Sequence, residues 1–95
     1  MRVDISGTAE NDLEEIGDYI ARDNPARALS FVAELRAACQ RIGAAPLATA
    51  PRPELGPGMR SGPEGRYVIF LKVERNRVLI VRVLHGARDR SSLLP

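Results

Sequence analysis

The sequence predicts an α+β domain: an N-terminal strand, then an antiparallel helical hairpin packed on a mostly antiparallel β-sheet. Two segments, residues 9–20 and 28–42, carry apolar side chains at helical spacing. Two others, residues 67–73 and 78–84, are dense in β-branched and aliphatic residues and flank a short polar turn, which is typical of a β-hairpin. The chain has 95 residues, enough for one core, so we expect a single domain over residues 1–95.

The first predicted elements are a short strand and a helix. Residues 2–6 alternate in polarity, which places Val3 and Ile5 on the inner face of a strand. The next residues supply helix-capping groups and negative charge for a first helical turn: Ser6, Gly7, Thr8, Glu10 and Asp12. An apolar stripe then marks the buried face of a helix that ends near Arg22: Ala9, Leu13, Ile16 and Ile20. The opposite, acidic face (Glu14, Glu15 and Asp18) is interpreted as a solvated surface.

A second helix is predicted to begin at Pro25, because Asn24 is a favourable N-cap and proline fits the first helical position. We expect Gly43 to end this helix in the left-handed conformation. Its predicted buried stripe consists of Ala28, Val32, Leu35, Cys39 and Ile42, widened by Leu29 and Phe31. Since the connection between the helices is short, they should run antiparallel as a hairpin.

The segment from residue 44 to 65 is rich in proline and glycine and is predicted to be an ordered connection with at most a short strand at residues 59–61. The β-hairpin follows it. Its second run is apolar on both faces except at Arg82, as expected for a strand covered on both sides. The polar residues 85–89 come after this strand, where a stiff scaffold suits contact with another molecule.

Cysteine and histidine usage limits the chemistry of the chain. Cys39 is the single cysteine, so no internal disulfide is possible and a reducing compartment is expected. With one cysteine and one histidine far apart in sequence, we predict no metal site and no cofactor. The sequence shows no apolar stretch of membrane-spanning length and no signal-peptide pattern, so we expect a cytoplasmic protein with no membrane partner.

Charge is distributed unevenly along the chain. Residues 1–50 carry five basic and eight acidic side chains (5 − 8 = −3), and residues 51–95 carry nine and four (9 − 4 = +5). All but one of the 14 basic residues are arginine, which suits bidentate contact with carboxylates or phosphates. The base composition of a genome would also explain arginine at any single position. The asymmetry favours an acidic protein or a nucleic acid as partner.

Several segments together resemble the ParE branch of the RelE/ParE superfamily of bacterial type II toxins, and they cover nearly the whole chain. In order, they are Leu13-Glu-Glu-Ile16, Tyr19-Ile-Ala-Arg-Asp-Asn-Pro25, Arg52-Pro-Glu-Leu-Gly-Pro-Gly-Met-Arg-Ser61, Gly65-Arg-Tyr-Val-Ile-Phe70 and Val81-Arg-Val-Leu-His-Gly-Ala-Arg-Asp89. The order of these segments and the total length make the resemblance specific.

The resemblance implies a toxin of a toxin–antitoxin system, a class associated with plasmid stabilisation. Members of this branch are associated with inhibition of DNA gyrase, which traps cleaved DNA. The implied partners are therefore gyrase and a cognate antitoxin, usually encoded beside the toxin. Such an antitoxin usually has a DNA-binding dimer domain and a C-terminal segment that embraces the toxin. The complex represses its own operon and contacts DNA mainly through the antitoxin. Because the second half of the chain is basic, we expect the antitoxin segment to be acidic and partly disordered.

The sister branch of the superfamily cuts messenger RNA on the ribosome and is the main alternative. That chemistry needs cations, which Arg60, Arg66 and Arg82 would supply, and an acid or base, which would be His85. The chain has no second histidine, and neither tyrosine lies near the C-terminus, where ribonuclease members often carry a functional side chain. We therefore expect no enzyme activity and a structural role for His85. A further alternative is a non-toxic member that acts only in operon autoregulation.

Two sets of contact residues are predicted. The target-binding set is Arg60, Arg66, Arg82, His85 and Arg88, with Asp89 assigned a structural pairing with Arg88. Because Arg82 interrupts an apolar strand, it either reaches the exposed face of the sheet or pairs with a buried acid. The antitoxin-binding set is Leu13, Ile16, Phe31, Leu35, Leu93 and Leu94, although for each of the four helical residues taken singly the preferred interpretation is that it fills the core.

Overall fold

The computed structural model describes residues 1–86 and confirms the predicted α+β class. Two α-helices, α1 and α2, follow the first of five strands. The bounds are β1 Arg2–Ile5, α1 Gly7–Ala21, α2 Pro25–Ala44, β2 Ala50–Pro51, β3 Met59–Glu64, β4 Tyr67–Val73 and β5 Arg77–His85. Single 3-10 turns at Pro46–Ala48 and Pro53–Leu55 flank β2. Neither α-helix is long and apolar enough to cross a membrane.

The strands form one sheet in the order β1-β5-β4-β3-β2. β1 runs parallel to β5, and the other neighbouring pairs are antiparallel, so the sheet is mostly antiparallel as predicted. The register between β4 and β5 shifts once: Phe70 lies opposite Arg82, and Leu71 lies opposite Ile80. Val81 is therefore the extra residue of a β-bulge. Such a bulge changes the direction of the side chains that follow it.

Both helices begin at the predicted capping residues. The Ser6 hydroxyl accepts a hydrogen bond from the Ala9 N–H at 3.0 Å, and the Asn24 side chain accepts one from the Arg27 N–H at 3.1 Å. These bonds satisfy amides that would otherwise lack a partner in the first helical turn. The helices run antiparallel, as predicted. Near the start of α1, Glu10 pairs with Arg36 at 2.7 Å, whereas further along α1 Gly17 faces Val32.

The main core lies between the helical hairpin and the sheet. Its fully buried side chains are mostly aliphatic, and Cys39 is buried among them. The core members are Ala9, Leu13, Leu35, Ala38, Cys39, Ile69, Leu71, Val78, Ile80 and Val83. Val3 and Ile5 pack against this core from β1, which confirms the inward face predicted for that strand.

The prediction for Gly43 was wrong. This residue lies within α2, which ends one residue later, and it has no positive φ. Glycine is needed there for space rather than for backbone conformation. A Cβ atom at position 43 would lie 2.7 Å from Cγ1 of Val3, so the bare backbone allows α2 to pack directly on β1.

Two other sequence predictions also need correction. Leu29, expected to widen the buried stripe of α2, is 79% exposed. The short strand expected at residues 59–61 continues to Glu64, which gives β3 six residues. It includes Pro63, which is exposed. Since β2 pairs only with Arg60 and Ser61, Pro63 lies where β3 has become an edge strand, and proline is tolerated at such an edge.

Candidate functional site

A buried acid, Asp12 of α1, holds the bulged strand β5. Its carboxylate accepts hydrogen bonds from Arg82 Nε at 2.8 Å and Arg82 Nη2 at 3.1 Å. The same carboxylate accepts the backbone N–H of Val83 at 2.9 Å. The Asp12 side chain is 9% exposed and that of Arg82 is 24% exposed. Arg82 therefore pairs with a buried acid, which is one of the two roles that the sequence left open.

The environment of this pair explains its geometry. β1 ends at Ile5, opposite Ile80, so the last residues of β5 have no neighbouring strand on that side. The Ser6 hydroxyl donates to the carbonyl of Val81, and Asp12 accepts from the next amide on the same side, that of Val83. The side chains of the N-cap residue Ser6 and of Asp12 in α1 thus replace the missing strand. The hydrogen bonds that Arg82 donates to Asp12 raise the pKa of the Arg82 guanidinium, so this side chain stays charged.

Arg60, a second predicted target residue, also serves an internal contact. Its Nε lies 2.9 Å from the Pro46 carbonyl and 2.9 Å from the Thr49 hydroxyl. Its Nη2 donates to the carbonyls of Leu47 and Thr49. A guanidinium carries several donors, and this one reaches three carbonyls in and just after the 3-10 turn. Arg60, which lies in β3, therefore holds the turn that precedes β2 against β3.

An open cleft of about 780 Å³ lies between the second half of α1 and the ends of β4 and β5. Two predicted target residues, Arg66 and His85, line this cleft together with the Asp12–Arg82 pair. The lining residues are Asp12, Glu15, Ile16, Asp18, Tyr19, Arg22, Arg66, Tyr67, Arg82, Val83, Leu84 and His85. The cleft thus brings together three of the predicted target residues, whereas Arg60 lines a smaller, separate groove.

Aromatic contacts build one end of the cleft. The Tyr67 ring packs against Phe31 of α2, with ring centroids 5.7 Å apart. The same ring makes an edge contact with His85 at 5.3 Å. Burial raises the pKa of the Tyr67 hydroxyl above its ordinary value, so this residue contributes a neutral ring. The contact gives His85 a packing role beside Tyr67.

Tyr19 and Arg22 supply an exposed part of the opposite wall. The Tyr19 side chain is 68% exposed, and the Arg22 guanidinium lies 5.7 Å from the centre of its ring. Arg66 follows the Gly65 turn, where φ is +59°, and the Arg66 carbonyl accepts the Gly86 N–H at 2.6 Å. Within residues 1–86, the Arg66 guanidinium has no carboxylate partner.

The antitoxin-binding residues predicted on the helices differ in their exposure. Leu13 and Leu35 are 0% and 1% exposed, so neither side chain offers surface to a partner in this conformation. Ile16 and Phe31 are partly buried, and Ile16 also lines the cleft. The remaining predicted contact residues, Arg88, Asp89, Leu93 and Leu94, lie outside the described residues.

Several residues of the cleft were missed by the sequence analysis. Asp12 was assigned to the charged first turn of α1, and Tyr19, Arg22 and Tyr67 were not singled out as contact residues. One signal pointed to an acid such as Asp12: Arg82 interrupts the apolar pattern of β5, and a partly buried arginine needs an acidic partner. Within residues 1–86 no group of three or more histidine, cysteine, aspartate or glutamate side chains is arranged to hold a metal ion.

Comparisons with known proteins agree with the geometry. The chain is similar to a solved structure, "Chromosomal ParDE TA system from P. aeruginosa", with a TM-score of 0.78 and 22% sequence identity over 90% of this chain and 95% of that one. At this identity the match shows the fold alone. No curated protein matches the chain. The family described as "ParE toxin of type II toxin-antitoxin system, parDE" matches residues 3–90. The chain therefore belongs to the ParE toxin family of type II toxin–antitoxin systems.

Proposed function

We propose that this protein inhibits DNA gyrase and is neutralised by direct binding of a cognate antitoxin. The proposal rests on the match to the ParE family over residues 3–90. The solved relative with the same fold comes from a ParDE toxin–antitoxin system, which supports a paired antitoxin for this chain as well. Since gyrase acts on chromosomal DNA, we place the protein in the cytoplasm.

The observation that favours inhibition by binding over RNA cleavage is the internal use of two cations that a ribonuclease mechanism would need. Arg82 is neutralised by the buried carboxylate of Asp12, and Arg60 is held by backbone carbonyls. A phosphorane intermediate needs cations that are available to its oxygens. The arrangement therefore favours a binding protein over a ribonuclease.

The expected antitoxin has an acidic segment and a DNA-binding dimer domain, and contact with DNA is made mainly through it. The basic second half of this chain supports an acidic partner. No cofactor is required for inhibition by binding. In this proposal the antitoxin acts by covering the toxin, and not by competing for a catalytic group.

Induction of the toxin in cells that lack the antitoxin tests this function. We expect growth arrest with double-strand DNA breaks and intact transcripts, and rescue when the neighbouring antitoxin gene is expressed with it. Arrest with cleaved transcripts and unbroken DNA would instead identify a ribonuclease. Unimpeded growth would identify a non-toxic member that acts in autoregulation only.

A further inference from the structure

We propose that the cleft between α1 and the ends of β4 and β5 is the docking site for the protein target, and that Arg66, Glu15 and Asp18 select that target by charge. This inference rests on the proposed function and specifies which surface meets gyrase. The expected occupant is an exposed segment of the folded target that carries an apolar side chain between an acidic and a basic residue.

Unpaired charges on both walls carry the inference. Most arginines of residues 1–86 lie in ion pairs, but Arg66 has no carboxylate partner in that part of the chain. Glu15 and Asp18, on the facing wall, are exposed and have no ion-pair partner there either. Charges left unpaired at a cleft steer an encounter and reject wrong partners, because burying them unmatched is costly.

The sign of these charges restricts the occupant. Glu15 and Asp18 oppose Arg22 and Arg66, so the unpaired charges among the cleft residues within 1–86 sum to about zero. A nucleic acid needs a net positive surface, and an acidic antitoxin segment would face two unpaired carboxylates. A protein surface of mixed charge is complementary to both walls.

The floor and the stiffness of the cleft suit a folded partner. Ile16 and Tyr67 supply partly buried apolar surface, and the ring of Tyr19 stands exposed beside them. The Asp12–Arg82 bonds clamp α1 to β5, so the walls are fixed before binding. A preformed cleft binds a folded surface without the cost of ordering a loop.

The test uses charge-reversal variants of the full chain with matched controls. Arg66→Glu changes the cleft, and Arg75→Glu is its control. Arg66 lies in the turn before β4 and Arg75 in the turn after β4, at the opposite end of that strand, and both arginines are exposed. Glu15→Lys with Asp18→Lys changes the other wall, and Glu14→Lys changes the same helix outside the cleft lining. Each variant is checked by circular dichroism and thermal unfolding for an unchanged fold.

Binding to purified gyrase holoenzyme without DNA, and to the antitoxin encoded beside the toxin, is measured for each variant. We expect the cleft variants to bind gyrase about 10-fold or more weakly, as loss of a matched charge predicts, with antitoxin affinity within about 2-fold of the unmodified protein. The two controls should match the unmodified protein in both assays.

Several results would overturn the inference. If the cleft variants bound gyrase as tightly as the controls do, the cleft would be excluded as the docking site for gyrase. The same result would be obtained if the cleft bound DNA instead. Loss of antitoxin binding in a folded cleft variant, with or without loss of gyrase binding, would assign the cleft to the antitoxin. If the unmodified protein failed to bind gyrase while binding its antitoxin, the proposed function would fail, and this inference with it.

Discussion

Asp12 of α1 and Arg82 of β5 are 70 residues apart in sequence, and two hydrogen bonds of 2.8 and 3.1 Å join their side chains. The third bond to this carboxylate, from the Val83 N–H, makes the pair part of the backbone pairing of the sheet. The relationship ties the helical hairpin to the end of β5, where the cleft begins. Loss of the Asp12–Arg82 pair should therefore lower the stability of the fold, and contact with a partner should change only as a consequence.

Replacement of this acid should be costly. Asp12→Ala leaves a buried amide and a largely buried guanidinium without their acceptor, and we expect a loss of about 3 kcal/mol in the free energy of unfolding. Urea unfolding followed by circular dichroism measures it. Glu14→Ala, on an exposed position of the same helix, is the control and should change stability by no more than about 0.5 kcal/mol. An Asp12→Ala protein as stable as the control would contradict the structural role.

Arg60 is predicted to act on the turn before β2 rather than on the target. Arg60→Ala removes the donors that hold the carbonyls of residues 46, 47 and 49, so we expect a loss of about 1–3 kcal/mol and faster proteolytic cleavage near residues 46–58. Limited proteolysis with mass spectrometry locates the cuts. Arg75→Ala, which removes an exposed arginine from another turn, should leave the digestion pattern unchanged. If the Arg60→Ala protein kept its stability but lost its toxicity, this residue would instead be assigned to target binding.

Gly43→Ala tests the close approach of α2 to β1. The added methyl would lie 2.7 Å from Cγ1 of Val3, and such overpacking should cost about 1–3 kcal/mol even though alanine favours the helix. Gly7→Ala is the matched control, because no atom lies within 4 Å of a Cβ at that position. Adding Val3→Ala should recover part of the loss by removing the clashing methyls. A stabilised Gly43→Ala protein would show that the helix does not contact β1 this closely.

Cys39 should react only when the core opens. Burial raises the pKa of its thiol to about 11, so almost no thiolate forms at pH 8 in the folded protein. We expect alkylation by iodoacetamide to be at least about 100-fold slower in buffer than in denaturant, because the side chain is buried as well as neutral. Since the folded thiol holds its proton above the ordinary pKa of 9.0 that applies in the unfolded chain, stability should fall as the pH rises from 9.0 towards 11. Alkylation at the same rate in the folded and unfolded states would contradict the burial.

Much of the fold was predictable because its signals are local. Ser6 and Asn24 cap their helices, as their side-chain chemistry predicts, and the polar turn at residues 74–76 separates two strands of evident β-propensity. Gly43 shows the limit of such reasoning. A glycine at a helix end usually permits a left-handed residue, but here the space is needed by Val3, a residue of another element.

The site was less predictable because its residues meet only through the tertiary fold. Arg82 was recognised as unusual from the strand pattern alone, but its partner Asp12 looked like one more charge in the first turn of a helix. The bulge at Val81 lies next to Arg82 in β5, and no glycine, proline or other turn residue marks it in the sequence. Likewise, Tyr19 and Arg66 belong to different elements, and the fold alone places them around one cleft.

Inhibition of purified gyrase tests the central claim most directly. The protein is added to a supercoiling reaction with gyrase, ATP and relaxed plasmid, and the products are resolved with and without detergent and protease treatment. We expect dose-dependent loss of supercoiling with accumulation of linear, cleaved DNA, and recovery of supercoiling when the antitoxin is added in equimolar amount. Full supercoiling at a large molar excess of folded, antitoxin-binding protein would contradict the account.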